Sequence, residues 1–310
     1  MQVFFDIPNI EEDTTIAIGT FDGLHLGHQS VLKNAKKIAL ENNQKLLIFT
    51  FTDHPAIITG SKKVPQILTM SDEKVNLLKS YESDSDYCVM PNFSKDFSIL
   101  SPEEFIENIL VKKLKAKNIC VGFNFFFGYK AQGNEQTLKN FSKKYNYDVE
   151  VVKPVKYEGQ NVSSSVIREL LTDGEISKAN QLLNYKYYLR GQVVRGRGLG
   201  KTVLGIPTAN ILVSERKLIP KNGVYCCDVK VKDKNYVGVT NIGNRPTFDN
   251  GLKSIEVHIL DFDDDIYGNQ IEINFSDYLR PEKKFDGIEK LKEQILIDIE
   301  LCRNESNSLA

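Results

Sequence analysis

The chain of 310 residues contains no tryptophan, three methionines and four histidines. Its five cysteines, Cys88, Cys120, Cys226, Cys227 and Cys302, are odd in number and form no C-x-x-C pair. That spacing argues against a disulfide framework and against a zinc site, so the thiols read as small apolar side chains buried in a reducing cytoplasm. No apolar run approaches the roughly 18 residues that a membrane span requires. The opening segment MQVFFDIPNIEEDTT has no basic region followed by an apolar core and a small-residue cleavage site, which predicts no secretory signal. An excess of one charge is also missing: 40 Lys and Arg face 41 Asp and Glu, a net charge of −1. No global field draws the chain to nucleic acid or to an anionic membrane. The expectation is a cytoplasmic protein without nucleic-acid or membrane partners, in which any nucleotide is held by a local site.

The length suits two domains, since one domain usually takes about 100–200 residues. In the first half, short apolar runs at Thr15–Gly19, Leu46–Phe51, Asp86–Met90, Asn118–Gly122 and Val149–Val152 lack polar alternation, as parallel strands buried on both faces do. Between them Val31, Leu32, Ala35, Ile38 and Ala39 form one helical stripe, and Phe105, Ile106, Ile109, Leu110 and Leu114 another. This alternation predicts an open, Rossmann-like parallel sheet covered by helices, with ligands beyond the carboxyl ends of its strands. From about Tyr187, segments rich in Val, Ile and Tyr are separated by Gly, Asn, Asp and Pro turns, predicting a small antiparallel barrel. Ile288, Leu291, Ile295, Ile299 and Cys302 then predict a terminal amphipathic helix packed on the barrel, with Arg303–Ala310 a polar tail outside the fold. The fold class is α/β, and the boundary is placed within Leu183–Tyr187, giving domains 1–185 and 186–310.

Chemistry concentrates in four places. Ile18-Gly19-Thr20-Phe21-Asp22-Gly23-Leu24-His25-Leu26-Gly27-His28 runs from a strand through a turn into a helix, whose free N–H groups and positive dipole end suit a polyphosphate. Two of the four histidines stand here as H-x-G-H, with Gly27 admitting a phosphate to the backbone. His25 and His28 can then donate hydrogen bonds to a phosphoryl group under attack. Ser163-Ser164-Ser165-Val166-Ile167-Arg168 opens another helix. Alone it reads as a serine N-cap; beside H-x-G-H it reads as hydroxyl and guanidinium donors for further phosphates.

The third place is the basic loop Arg195-Gly196-Arg197-Gly198-Leu199-Gly200-Lys201, followed by Pro207-Thr208-Ala209-Asn210. The loop is either a hairpin turn or an anion-binding nest, and it lacks the G-K-[S/T] of a Walker motif. Strand alternation puts Thr208 and Asn210 on one face, where hydroxyl and amide oxygens can reach one Mg²⁺ or its waters; an ordinary strand edge after proline is the alternative. In Ser254–Leu260, Glu256 and His258 share a face and are either solvated side chains or, for Glu256, a base beside an acceptor alcohol.

G-T-F-D-G-L-H-L-G-H, F-T-F-T-D-H-P, V-G-F-N-F-F-F-G and S-S-S-V-I-R, in this order, resemble the adenylyltransferase module of bacterial bifunctional riboflavin kinase/FAD synthetases. The stretch from Gly191 to Asp298, with P-T-A-N, N-I-G-N-R-P-T-F and L-R-P-E-K-K-F, resembles the riboflavin kinase module of the same family. The resemblance implies phosphorylation of riboflavin to FMN by ATP, then adenylylation of FMN by a second ATP to FAD, with Mg²⁺ as cofactor and ADP and pyrophosphate released. By it, Gly19, Phe21, His25, His28, Ser164, Ser165 and Arg168 surround the ATP of adenylylation, and Asn124 lies near the flavin phosphate. It makes Glu256 the base for the ribityl 5′-hydroxyl. Gly196, Gly198, Gly200, Lys201, Thr208 and Asn210 then hold Mg-ATP, and Arg280 lines the flavin or nucleotide cleft. Asp53 stands where the family usually has proline, and Ser165 where threonine is more usual; the serine keeps the hydroxyl.

Overall fold

The computed structural model describes residues 1–57, 65–82, 84–196, 204–244 and 253–308, without the side chains of 305–308. The chain divides into two compact units, Met1–Ser164 and Ser165–Ala310.

The first unit is built on six parallel strands: β1 Gln2–Phe4, β2 Thr14–Ile18, β3 Lys45–Phe49, β4 Tyr87–Val89, β5 Ala116–Gly122 and β6 Asp148–Val152, in the order β1-β4-β3-β2-β5-β6. The chain winds outward from β2 through β3 to β4, then returns to add β5 and β6 on the other side. The reversal lies between β2 and β5, and a crevice opens at such a switch point beyond the strands' carboxyl ends. The alternation along β2 shows why the sheet needs cover on both faces. Ile16 and Ile18 enter a core with Leu47, Phe49, Phe105, Ile106, Ile119 and Leu110, whereas Ala17 enters the opposite one with Leu32, Ala35, Ile48 and Cys120. Each fully buried Leu, Ile or Phe contributes roughly 1.5–3 kcal/mol.

Helix α1, Leu26–Glu41, supplies the second core from its stripe Val31, Leu32, Ala35 and Ala39. Helix α2, Ser71–Tyr81, buries Leu78 and, less predictably, Glu73 and Lys74. The predicted helix at Phe105–Leu114 forms instead as a π-helical stretch, Phe105–Val111. Helix α3, Glu135–Tyr145, precedes β6 and is capped by the Asn134 side chain. The strand β1 carries no periodicity of its own at three residues, and pairing with β4 creates it.

The boundary falls at the first residue of α4, Ser164–Asp173; the second unit holds the rest of that helix, α5 Ile176–Leu183 and a closed antiparallel barrel. Its strands are β7 Tyr188–Val194, β8 Ala209–Leu212, β9 Gly223–Val231, β10 Lys234–Asn244, β11 Lys253–Ile259 and β12 Gln270–Arg280, closing in the order β7-β8-β11-β10-β9-β12. Closure removes the sheet edges. Tyr225, Val229, Thr240, Ile242, Val257, Ile273 and Phe275 are fully buried. The linker is fixed by α5: Asn180 donates to the Phe275 carbonyl at 2.9 Å and accepts from the Tyr187 N–H at 2.7 Å.

The terminal helix α6, Ile288–Ser308, covers Val224, Cys226 and Val239 with Ile299 and Cys302. Two sequence expectations are corrected here. Helix α6 continues through the region read as a polar tail as far as Ser308. Cys226 and Cys302 form a disulfide, leaving Cys88, Cys120 and Cys227 as buried thiols. Sequence spacing did not reveal the pair because the partners lie 76 positions apart and meet only when α6 docks on β9.

Candidate functional site

In the first unit the site grows from the end of β2. After this buried strand the chain turns sharply, with Phe21, Gly23 and Leu24 at φ 48°, 81° and 36°. Non-glycine residues in this left-handed region store about 1–3 kcal/mol each, which the surroundings must offset. Phe21 is fully buried, and Asp22 Oδ1 accepts from the N–H groups of Leu68 and Thr69 at 2.9 Å each. Ser164 Oγ donates to the Asp22 carbonyl at 2.9 Å, which brings the serine segment to the turn. Ser165 and Arg168 follow on the first turns of α4.

His25 is the N-cap of α1, and its Nδ1 accepts from the His28 N–H at 3.3 Å. In the neutral ring this leaves Nε2 as the protonated nitrogen. The His25 and His28 rings stack with centroids 3.7 Å apart, and the edge of Phe21 packs on His28 at 5.3 Å. A Cβ at position 27 would lie 3.1 Å from the His25 ring and 3.5 Å from the Val162 carbonyl oxygen, so glycine there permits the stack. Burial first, then His25, then the Lys74 ammonium hold the His28 imidazole well below the usual histidine range. Its Nδ1 is buried and has no hydrogen-bond partner among the described residues. A buried polar atom left in this way at a helix N-terminus suits a ligand oxygen or a water.

Around this turn lies a small pocket bordered by Thr20, Asp22, Asp53, His54, Thr69 and Lys74. Asp53 thus stands at its wall, and His54 Nδ1 accepts from the Ala56 N–H at 3.2 Å. Gly19 precedes the turn directly, where a Cβ would lie 3.1 Å from the Phe21 ring. Asn124 is exposed just past β5, beside exposed Phe123 and Phe126.

In the second unit, strand register assembles the other site. Asn210 of β8 lies opposite Glu256 of β11, and Glu256 is also opposite Asn241 of β10. Cross-strand partners share a face, so two amides flank one carboxylate. Thr208 Oγ1 donates to Glu256 Oε2 at 3.5 Å and Ser254 Oγ to Oε1 at 3.2 Å. His258, on the same face, places Nδ1 2.7 Å from the Pro207 carbonyl and holds the P-T-A-N entry. A Cβ on Gly196 would collide with the Asn210 amide, which explains glycine there. Gly198, Gly200 and Lys201 lie outside the described residues.

Beside Thr208 opens a cavity of ≈230 Å³ with Val193, Pro207, Phe262, Ile266 and Tyr267 in its walls together with Asp263, Asp264 and Asp265. Apolar side chains on one part of the wall and carboxylates and a hydroxyl on another suit a small organic ligand that carries polar groups. Among the described residues no cluster of three His, Cys, Asp or Glu could cage a metal. The donors at hand are the oxygens of Thr208 and Asn210, hard ligands that fit Mg²⁺ shared with phosphates and waters. Arg280 donates in bidentate fashion to buried Asp298 of α6, with contacts of 3.0 and 2.6 Å, and the Phe285 ring lies 5.8 Å from its guanidinium.

Sequence reasoning overlooked Asp22, Thr69 and Lys74 in the first site and Asn241 and Ser254 in the second. Asp22 stood inside the turn motif and was readable as its clasp. Lys74, among Asp72, Glu73 and Lys79, looked like any solvated helix face.

Known proteins agree with this division. The family model for FAD synthetase matches residues 7–166 and that for riboflavin kinase residues 183–305. Bifunctional riboflavin kinase/FMN adenylyltransferases of Listeria monocytogenes, Bacillus subtilis and Escherichia coli K12 are 39%, 35% and 33% identical, over 90%, 91% and 93% of this chain and 88%, 89% and 91% of theirs. A solved Streptococcus pneumoniae structure described as a macrolide-efflux protein superposes with a TM-score of 0.88 at 31% identity, over 98% of both chains. Efflux is said of that protein; among the described residues here no helix is long and apolar enough to cross a membrane. Matching both family models in sequence and its relatives almost end to end, the chain belongs to the bifunctional riboflavin kinase/FMN adenylyltransferase family.

Proposed function

We infer that the chain makes FMN and then FAD, with residues 186–310 as the kinase and residues 1–185 as the adenylyltransferase. In the kinase step the riboflavin 5′-hydroxyl oxygen bonds to the γ-phosphorus of ATP, the β–γ bridging bond breaks, and ADP leaves. Glu256 takes the hydroxyl proton, which requires a carboxylate oriented beforehand; the Thr208 and Ser254 hydroxyls supply that orientation. Thr208 and Asn210 hold Mg²⁺, which when bound neutralises phosphate charge, and Gly196, Gly198, Gly200 and Lys201 line the nucleotide phosphates. Arg280, clamped by Asp298, lines the flavin cleft.

In the adenylyl step an FMN phosphate oxygen bonds to the α-phosphorus of a second ATP and pyrophosphate leaves. His25 donates through Nε2, and neutral His28 places its buried nitrogen toward the oxygens gaining charge. Gly19, Phe21, Ser164, Ser165 and Arg168 complete the ATP site, and Asn124 contacts the flavin phosphate. Substrates and products are riboflavin, FMN, FAD, ATP and ADP, in the cytoplasm, without nucleic-acid or membrane partners.

The observation that carries the reading is the register pair Asn210 and Glu256, because a base and a cation ligand on adjacent strands are what hydroxyl phosphorylation needs. The test is incubation with riboflavin, ATP and Mg²⁺, followed by chromatography. FMN and FAD both form, and both stop in excess EDTA; unchanged riboflavin defeats the reading, and undiminished products in EDTA defeat the Mg²⁺ assignment.

A further inference from the structure

Lys74 is only 5% exposed, an unusual place for an ammonium. Its hydrogen-bond acceptors among the described residues are two main-chain carbonyls: Thr20, in the turn after β2, at 2.9 Å, and Phe51, just past β3, at 2.8 Å. Neighbouring contacts bind the same segments. Thr50 Oγ1 also donates to the Thr20 carbonyl at 3.0 Å, and Ser71 Oγ of α2 donates to the Thr52 carbonyl at 2.9 Å. The nitrogen therefore sits where α2, the Thr20 turn and the Phe51–His54 segment converge, on the wall of the small pocket there.

Burial outweighs the attraction of Asp22, the Cys88 thiol and Asp53 and brings the Lys74 ammonium down to about 8. An ammonium whose proton affinity falls on folding costs stability at neutral pH. Leucine or methionine would remove that cost but would take the ammonium donor from the Thr20 and Phe51 carbonyls, so the charge is bound up with the two segments it joins. An anionic ligand would gain from it.

We propose that Lys74 is a positioning residue for adenylyl transfer: its ammonium ties the Thr20 turn to the Phe51–His54 loop and sets a fixed positive charge beside the His25–His28 pair. The inference rests on the reading of that pair as the ATP phosphate cradle. Its charge adds to burial and to His25 in disfavouring protonation of the His28 ring, and its two carbonyl contacts hold the strained turn in register with the rim of the cavity.

The test uses the full chain with Lys74→Met, Lys74→Arg and His28→Ala. FAD formation from FMN is followed as kcat and KM for ATP between pH 5 and pH 9, and FMN formation from riboflavin serves as a control within the same molecule. Lys74→Met lowers kcat/KM for FAD formation by about 10- to 100-fold, in line with the loss of an oriented donor network. It also moves the acid limb of the profile to higher pH, because His28 loses a neighbouring positive charge. Lys74→Arg keeps the wild-type limb and stays within about tenfold of the wild-type rate, and FMN formation is unchanged in both. A folded Lys74→Met that makes FAD normally overturns the proposal, as does an unmoved limb. If Lys74→Met does not melt cooperatively, Lys74→Arg decides alone: folded but with a shifted limb or a loss beyond tenfold, it overturns the proposal. Should His28→Ala leave FAD formation intact, the cradle reading fails; should it abolish FAD formation while Lys74→Met does not, only the role of Lys74 fails.

Discussion

His28 stacks on His25 with ring centroids 3.7 Å apart, while its own N–H is accepted by the Nδ1 of that same His25. The two side chains are one unit, preorganised before any ligand arrives. Removing one preorganised donor typically costs about 10²–10³ in rate. His28→Ala therefore lowers FAD formation by that factor and leaves FMN formation unchanged, which product chromatography on each half-reaction reports. A loss of riboflavin phosphorylation instead would assign the histidines to the wrong unit.

Glu256→Gln keeps the size of the side chain and removes the carboxylate, proposed as the base, that Asn210 and Asn241 flank. Riboflavin phosphorylation falls by roughly 10²–10⁴, while added FMN is still converted to FAD. The converse pattern, with FAD formation lost, contradicts the assignment.

Stability depends on pH in two separate windows. The folded His28 ring titrates well below the ordinary 6.5, so as pH falls from 6.5 the unfolded chain takes up a proton that the native protein refuses, and stability drops until the folded ring titrates. Lys74 is ordinarily at 10.5 and at about 8 when folded. Between those values the unfolded chain holds a proton the native protein has released, so stability rises with pH across that window. Melting curves of the wild type and Lys74→Met compared from pH 8 to 10.5 test the sign: the alkaline rise is present in the first and flattened in the second.

The Cys226–Cys302 bond joins β9 to the terminal helix across 76 positions. Closing a loop of that size in the unfolded chain is worth about 2–4 kcal/mol. Titration of the denatured, unreduced protein finds three thiols, and Cys302→Ser lowers the melting temperature of the barrel. Five thiols would remove the bond.

A fragment from Tyr187 to Ala310 makes FMN and no FAD. One beginning at Ile176 melts higher, because it retains α5 and the Asn180 bonds to Phe275 and Tyr187. Loss of FMN formation in a cooperatively folding Tyr187 fragment shows that the modules depend on each other.

Much of this was legible in the order of residues. Buried parallel strands announce themselves as unbroken apolar runs, and helix stripes by spacing, so the sheet, α1 and the barrel strands follow from local patterns. The motif residues His25, His28, Thr208, Asn210 and Glu256 were readable because each lies at a strand end or on a strand, where period and turn chemistry fix its direction. The π-helical form of Phe105–Val111 had no such signal, since the apolar stripe is compatible with either helix.

The sequence by itself determined the two-part architecture, the parallel sheet followed by a barrel, and the two sets of motifs proposed to bind phosphates, because these depend on periodicity and on neighbours in the chain. Only the tertiary structure decided that Asn210 faces Glu256 across a strand pair, that Cys226 meets Cys302, and that Lys74 is turned inward to the Thr20 and Phe51 carbonyls. Each joins residues more than twenty positions apart. Register, helix docking and loop convergence bring such residues together, and none of the three leaves a periodic trace in the sequence.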